Sequence, residues 1–111
     1  MESLDMARHA REALLSKKAS GVLVLDVRKI SPVTDYYVLA SGATAPQLKA
    51  MANAVHRQFK DAGTHHFRRS GMPEDGWMVL DYVDVVIHIF LKEVREYYAI
   101  EELWADAPHV E

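Results

Sequence analysis

No cysteine occurs among the 111 residues, which excludes both a disulfide framework and a thiolate metal site and suits a reducing compartment. No apolar run approaches the roughly 18 to 20 residues that a membrane span needs. The opening Met1-Glu2-Ser3-Leu4-Asp5 carries acids where a secretory signal would carry basic residues followed by an apolar stretch. These absences point away from secretion and membrane insertion. With no transit-peptide composition either, the expected location is a bacterial cytoplasm.

Basic residues are also scarce in one region. Residues 81 to 111 hold 2 Lys/Arg against 8 Asp/Glu, net −6, whereas residues 1 to 80 hold 11 against 8, net +3. A protein wrapped by nucleic acid would show a basic excess, because phosphate neutralisation supplies most of that affinity. The acidic last third calls for a basic partner at that end, such as a basic protein, or for nothing more than a solvated acidic face.

What is present is ordinary globular material: half the residues are hydrophobic and 26% charged. The length matches one small domain spanning 1–111, with room for one core. Leu4, Ala7, Ala10 and Leu14 recur at helical spacing, so a first helix is expected from Ser3, as its cap, to Lys18, stopped by Ser20-Gly21. Val22 to Val27 is a short β-branched run and reads as a buried strand, and Tyr36 to Ala40, closed by Ser41-Gly42, as a second. Thr44-Ala45-Pro46-Gln47 has capping-box spacing. Behind it Leu48, Met51, Ala52, Val55, Phe59 and Ala62 mark a second helix that Gly63 ends.

Residues 64 to 76 read as an exposed connection, some of which pairs as an irregular edge strand. Met78 to Asp81 and Val85 to Leu91 read as strands around Tyr82-Val83-Asp84. Both alternating sets of the latter, Val85/Ile87/Ile89/Leu91 and Val86/His88/Phe90, are largely apolar, as in a central strand covered on both faces. A last helix is expected from Val94 to Trp104. The order of elements implies an α/β fold, a mixed sheet of four or more strands with helices packed against it.

Three constellations carry chemistry. His65-His66 with His56 or His88 would supply imidazole ligands, but adjacent side chains on an extended chain diverge and no H-x-x-x-H spacing completes a set. Asp81 and Asp84 would hold magnesium for phosphoryl transfer, against which stands the use of aspartate to satisfy turn N–H groups. Arg68-Arg69 would touch RNA phosphate or simply be solvated. The strongest signal is Trp77, Tyr82, Tyr97, Tyr98 and Trp104 set among Asp81, Asp84, Glu93, Glu96, Glu101, Glu102 and Asp106. Rings beside carboxylates suit an interface with a basic protein, where rings provide buried area and acids select the partner. Apolar strands and aromatics beyond the needs of one small core also make a homodimer of the free protein an expectation.

Several stretches taken in order resemble the ribosomal silencing factor, or Iojap-like, family over nearly the whole chain. They are Leu25-Asp26-Val27-Arg28, then Thr34-Asp35-Tyr36-Tyr37-Val38, Ser41-Gly42, Trp77-Met78-Val79-Leu80-Asp81-Tyr82 and Asp84-Val85-Val86-Ile87-His88-Ile89-Phe90. Arg95-Glu96-Tyr97-Tyr98 and Glu101-Glu102-Leu103-Trp104-Ala105-Asp106-Ala107 close the match. The resemblance implies a nucleotidyltransferase-like architecture without catalysis or cofactor. It implies binding to the large ribosomal subunit through a protein on its subunit-joining face, and steric exclusion of the small subunit when nutrients are scarce. It carries a contact role to Trp77, Asp81, Tyr82, Asp84 and His88, and further to Tyr98, Glu101 and Trp104. The competing reading is a nucleotide-dependent transferase using Asp81/Asp84 with magnesium; the family resemblance and the wide spacing of the two aspartates speak against it. Two departures stand out. Val83 replaces the glycine usual between the tyrosine and aspartate of the turn, a poor residue for positive φ, and Ser70-Gly71 replaces a Glu-Gly pair.

Overall fold

The computed structural model describes residues 2–64 and 67–110. Helix α1 (Ser3–Ser16) buries Met6, Ala7, Ala10, Ala13 and Leu14 on one stripe. Its cap position is Glu2, with no side-chain cap bond, so Ser3 is a first-turn residue and not the expected cap. The helix also stops before Lys17. The N–H groups of Lys17 and Lys18 close onto Leu14 and Leu15 carbonyls, and Lys18 takes the left-handed φ of 63° usually left to glycine. The expected terminator Ser20-Gly21 instead opens strand β1 (Ser20–Asp26), where the register shifts between Ser20 and Leu23.

Strand β2 runs Tyr36–Gly42, so Ser41 and Gly42 belong to the strand they were expected to close. Helix α2 (Ala45–Asp61) starts as its sequence predicts: Thr44 Oγ1 accepts from Gln47 N–H, with Pro46 in the first turn. Gln47 does not complete the box on Thr44. Its Oε1 accepts from Ala43 N–H, and its Nε2 donates to the carbonyls of Lys17 and Lys18, which ties the end of α1 to the start of α2. Strand β3 (Arg68–Ser70) is the irregular edge strand, followed by a 3₁₀ turn at Pro73–Asp75, β4 (Trp77–Asp81) and β5 (Val85–Leu91).

The expected last helix is broken in two. Helix α3 (Lys92–Tyr98) ends at Ala99, whose φ of 45° turns the chain into a 3₁₀ segment, Ile100–Trp104. A two-residue strand β6 (His109–Val110) follows. The six strands form one sheet in the order β3-β4-β5-β2-β1-β6. β5 and β2 are parallel and the other pairs antiparallel, so the sheet is mixed, as expected, and β5 is interior.

Strand alternation divides the side chains between two faces. On one face Val24, Tyr36, Val38, Ala40, Met78, Leu80, Val85, Ile87 and Ile89 pack under α1 and α2, which contribute Leu14, Leu48, Met51, Val55 and Phe59. On the other, a smaller cluster of Leu25, Val27, Leu39, Phe90, Ile100 and Ala107 is covered only by α3 and the C-terminal arm. Arg95 anchors that arm. Its buried guanidinium donates through Nη1 to Gly21 O (2.7 Å) and Ser41 Oγ (2.8 Å), and through Nε to Glu101. One cation so joins β1, β2 and the 3₁₀ segment, with a carboxylate to balance its charge.

Candidate functional site

Beyond the arm, the second face of the sheet is incompletely covered, and its register sets the site residues side by side. Asp81 lies opposite Val86, and Val86 opposite Tyr37; Val79 lies opposite His88, and His88 opposite Leu39; Trp77 lies opposite Phe90. Tyr37, Trp77, Val79, Asp81, Val86 and Trp104 are all half-buried. Tyr37 stacks on Trp104 with centroids 4.1 Å apart and planes at 22°. His88 sits between Tyr37 (5.6 Å), Trp104 (5.9 Å), Phe90 (6.0 Å) and Trp77 (6.1 Å). Trp77 extends the row to Tyr98 at 5.1 Å, and Tyr98 meets the exposed Tyr97 at 5.0 Å. The row draws on three strands, β2, β5 and β4, together with α3 and the arm; Asp81 lies on the same face across Val86 from Tyr37, and Glu101, Glu102 and Asp106 belong to the arm that carries Trp104.

His88 is 8% exposed. Its Nδ1 accepts from the Trp77 indole N–H at 3.2 Å, which requires a neutral ring with the proton on Nε2. Burial among rings depresses its pKa from 6.5 to about 4. It holds Trp77 in place and presents no charge near neutral pH. Gly71 backs the same tryptophan: at φ +80°, a Cβ there would lie 2.2 Å from the Trp77 carbonyl oxygen. Gly71 therefore matters for seating Trp77, whatever residue precedes it.

Tyr82 stands apart from the rest. It was expected among the contact residues, yet it is 2% exposed and lies on the helix-covered face, edge-on to Phe59 at 4.5 Å and beside Phe67 at 4.9 Å. Its hydroxyl meets His56 Nδ1 at 3.3 Å, and burial raises its pKa to about 12. Alternation along β4 continues one residue past its end, so Tyr82 turns inward with Met78 and Leu80 where Asp81 turns outward. Asp84 is exposed at the tip of the turn, off the aromatic row. Glu101 is half-buried against Arg95, so one of its oxygens is already engaged. Tyr37 was missed as a site residue; the pair Tyr36-Tyr37 on one strand was its only signal, since one ring of such a pair must face away from the helices.

Compared with known proteins, the chain matches over residues 1–111 the family model described as ribosomal silencing factor during starvation. The chain belongs to the ribosomal silencing factor family. Ribosomal silencing factor RsfS of Halalkalibacterium halodurans is 33% identical over 111 residues, covering 100% of this chain and 95% of the relative. A crystal structure of a Chromobacterium violaceum protein superposes with a TM-score of 0.90 at 35% identity, covering 95% of this chain and 88% of that one. A mouse relative, mitochondrial assembly of ribosomal large subunit protein 1, is 31% identical over 94 residues, covering 82% of this chain and 41% of the relative. Family membership makes the chain a ribosome-associated regulator of translation, in a family named for silencing and not for catalysis.

The turn that follows β4 in this ribosomal silencing factor is strained. Val83 has φ 74°, and Asp84 N–H donates to Tyr82 O at 2.9 Å, which makes Tyr82-Val83-Asp84 a γ-turn of the rare, strained hand. The turn thus takes a conformation that suits glycine, with a β-branched residue in it. Asp81 Oδ1 accepts from Val83 N–H at 2.8 Å, so this aspartate serves the turn, as the alternative to a magnesium role requires. His56 and His88 lie on opposite faces of the sheet, and His65 and His66 lie outside the described residues. Among the described residues, no three His, Asp or Glu side chains converge on one point. No helix among them is long and apolar enough to cross a membrane.

Proposed function

We propose that this protein represses translation in the bacterial cytoplasm by binding the large ribosomal subunit through a basic ribosomal protein on its subunit-joining face, sterically blocking the small subunit. The observation that carries the reading is the row Tyr37, Trp104, His88, Trp77 and Tyr98 on the incompletely covered sheet face, with Asp81 on the same face and acids on the arm that carries Trp104. Rings held rigid by one another lose little entropy on binding, and carboxylates around them favour lysine and arginine on the partner.

Trp77, Trp104, Tyr98 and Asp81 are the proposed direct contacts, with Tyr37 and Val86 between them. His88 fixes Trp77 from beneath, Asp84 steers from the rim, and Glu101 holds the arm that carries Trp104. Tyr82 shapes the turn from inside and does not touch the partner. In the free form the same rings are the proposed surface for self-association, which light scattering over a concentration series would read.

The reading is tested by sedimentation with purified subunits. The protein should travel with free large subunits and lower the yield of joined ribosomes when small subunits are added; undiminished joining at saturating protein would overturn it. Association should slow as salt rises from 50 to 300 mM, since a steered encounter is screened over about 10 Å at 0.1 M.

A further inference from the structure

The side of the molecule opposite the aromatic row carries charge of the other sign, concentrated on one helix. On α2 the exposed positions Lys49, Asn53, Arg57 and Lys60 follow one another at helical spacing and form a stripe about 16 Å long. Arg69 of β3 extends it sideways: its Nη2 donates to Asn53 Oδ1 at 3.4 Å, and its guanidinium lies over the Phe67 ring at 5.7 Å. On the α1 side, a shallow groove of about 390 Å³ is lined by Lys17, Arg57, Gln58, Ser16 and one carboxylate, Asp61. The exposed charges of α1 itself, Asp5, Arg8 and Glu12, alternate in sign at i, i+3 and i+4 and cancel locally. The excess of positive charge therefore belongs to α2 and its neighbour Arg69, and not to the helical layer as a whole.

The adjacent arginines of β3 are divided between the two surfaces. Arg69 pairs in register with Leu80 and so sits on the helix side, while Arg68 pairs with Asp81 and sits on the docking side. Three cations in a line with one amide among them, and Arg69 beside them, have one carboxylate nearby, Asp61, and none of the four forms an ion pair among the described residues. They match the repeating charge of a phosphate backbone, which such residues bind without reading sequence.

We infer that the α2 stripe, Lys49, Arg57 and Lys60 with Arg69, is a second contact surface that takes the phosphate backbone of RNA. It rests on the ribosomal reading for its source of RNA, and because the stripe lies opposite the acidic face it stays free for RNA while that face is docked. The acidic face chooses the partner protein, and the basic stripe adds salt-sensitive affinity.

The test is fluorescence anisotropy of the full chain with a labelled RNA hairpin at 50 and 200 mM salt. Four phosphate contacts should weaken binding about a hundredfold between the two conditions, and the triple variant Lys49→Ala, Arg57→Ala, Lys60→Ala should retain only about a three- to fourfold dependence. The charge-conserving triple Lys49→Arg, Arg57→Lys, Lys60→Arg should behave as the parent, and Trp77→Ala should leave RNA binding unchanged. No RNA binding at 50 mM salt, or equal binding by the alanine triple, would overturn the inference. So would poly-glutamate binding as tightly as RNA, which would assign the stripe to an acidic protein. Loss of large-subunit binding in Trp77→Ala reports on the docking face alone, so the two readings fail separately.

Discussion

The two faces of the sheet are built from the same strands and differ in what covers them. Under α1 and α2 the side chains are mostly aliphatic or small, with Tyr36, Phe59 and Tyr82 as the large buried rings, and nearly all are fully buried. On the other face a short helix and an arm held by Arg95 cover less, and the gap is filled by half-buried aromatics that lean on one another. The first arrangement maximises area removed from water. The second leaves rigid apolar area available, the requirement of a binding surface. A stable fold and a binding surface are thus kept on opposite sides of one sheet.

Changes on the two faces should separate in their readouts. Phe59→Ala, inside the helix-covered core, should cost about 4 kcal/mol of unfolding free energy, seen in denaturant melts. If the variant loses less than about 1 kcal/mol, the two faces are not unequal in the way described. The next effect lies on the open face and depends on pH. Since His88 has a folded pKa of about 4 against 6.5 unfolded, its unfolded form binds the proton first as pH falls. Stability is therefore complete above pH 6.5 and declines toward pH 4, by at most about 3 kcal/mol. His88→Gln should flatten that part of the stability-pH profile; an unchanged slope would mean that another group titrates.

Trp77→Ala should weaken large-subunit binding by about 2 kcal/mol, roughly thirtyfold, as expected for a central ring. Affinity unchanged within error would remove Trp77 from the interface. The smallest effect is at the turn linking the faces. Val83→Gly relieves a left-handed β-branched residue and should stabilise the protein by about 1 kcal/mol, after the entropy cost of glycine. A loss of stability there would show that the Val83 side chain contributes more than its strain costs.

Much of this architecture was legible beforehand, and the misses have physical causes. The apolar periodicity of Leu48 to Phe59 and the Thr44 cap identified α2, because helical spacing and capping are local. The ends of α1 and the break at Ala99 were misread because Lys18 and Ala99 adopt left-handed φ without being glycine, and such angles are imposed by the chain that follows them. Tyr82 was assigned outward with Trp77 because both are aromatics beside aspartates. The alternation of β4, carried one residue past Asp81, puts it with Met78 and Leu80 against Phe59 instead.

Taken alone, the amino-acid order determined the family signature, the α/β composition, the apolar interior strand Val85–Leu91 and the gathering of acids after residue 80. These depend on residue identity and short-range spacing, which the chain carries with it. The tertiary structure alone decided which aromatics share a surface. Tyr37 and Trp104 are far apart in sequence and meet only because β2 lies next to β5 and Arg95 draws the arm back across them. It also decided that Arg68 and Arg69 serve opposite faces and that His88 is a neutral support for Trp77. Each of these follows from pairing between distant strands, where one residue of register decides which side of the sheet a group occupies.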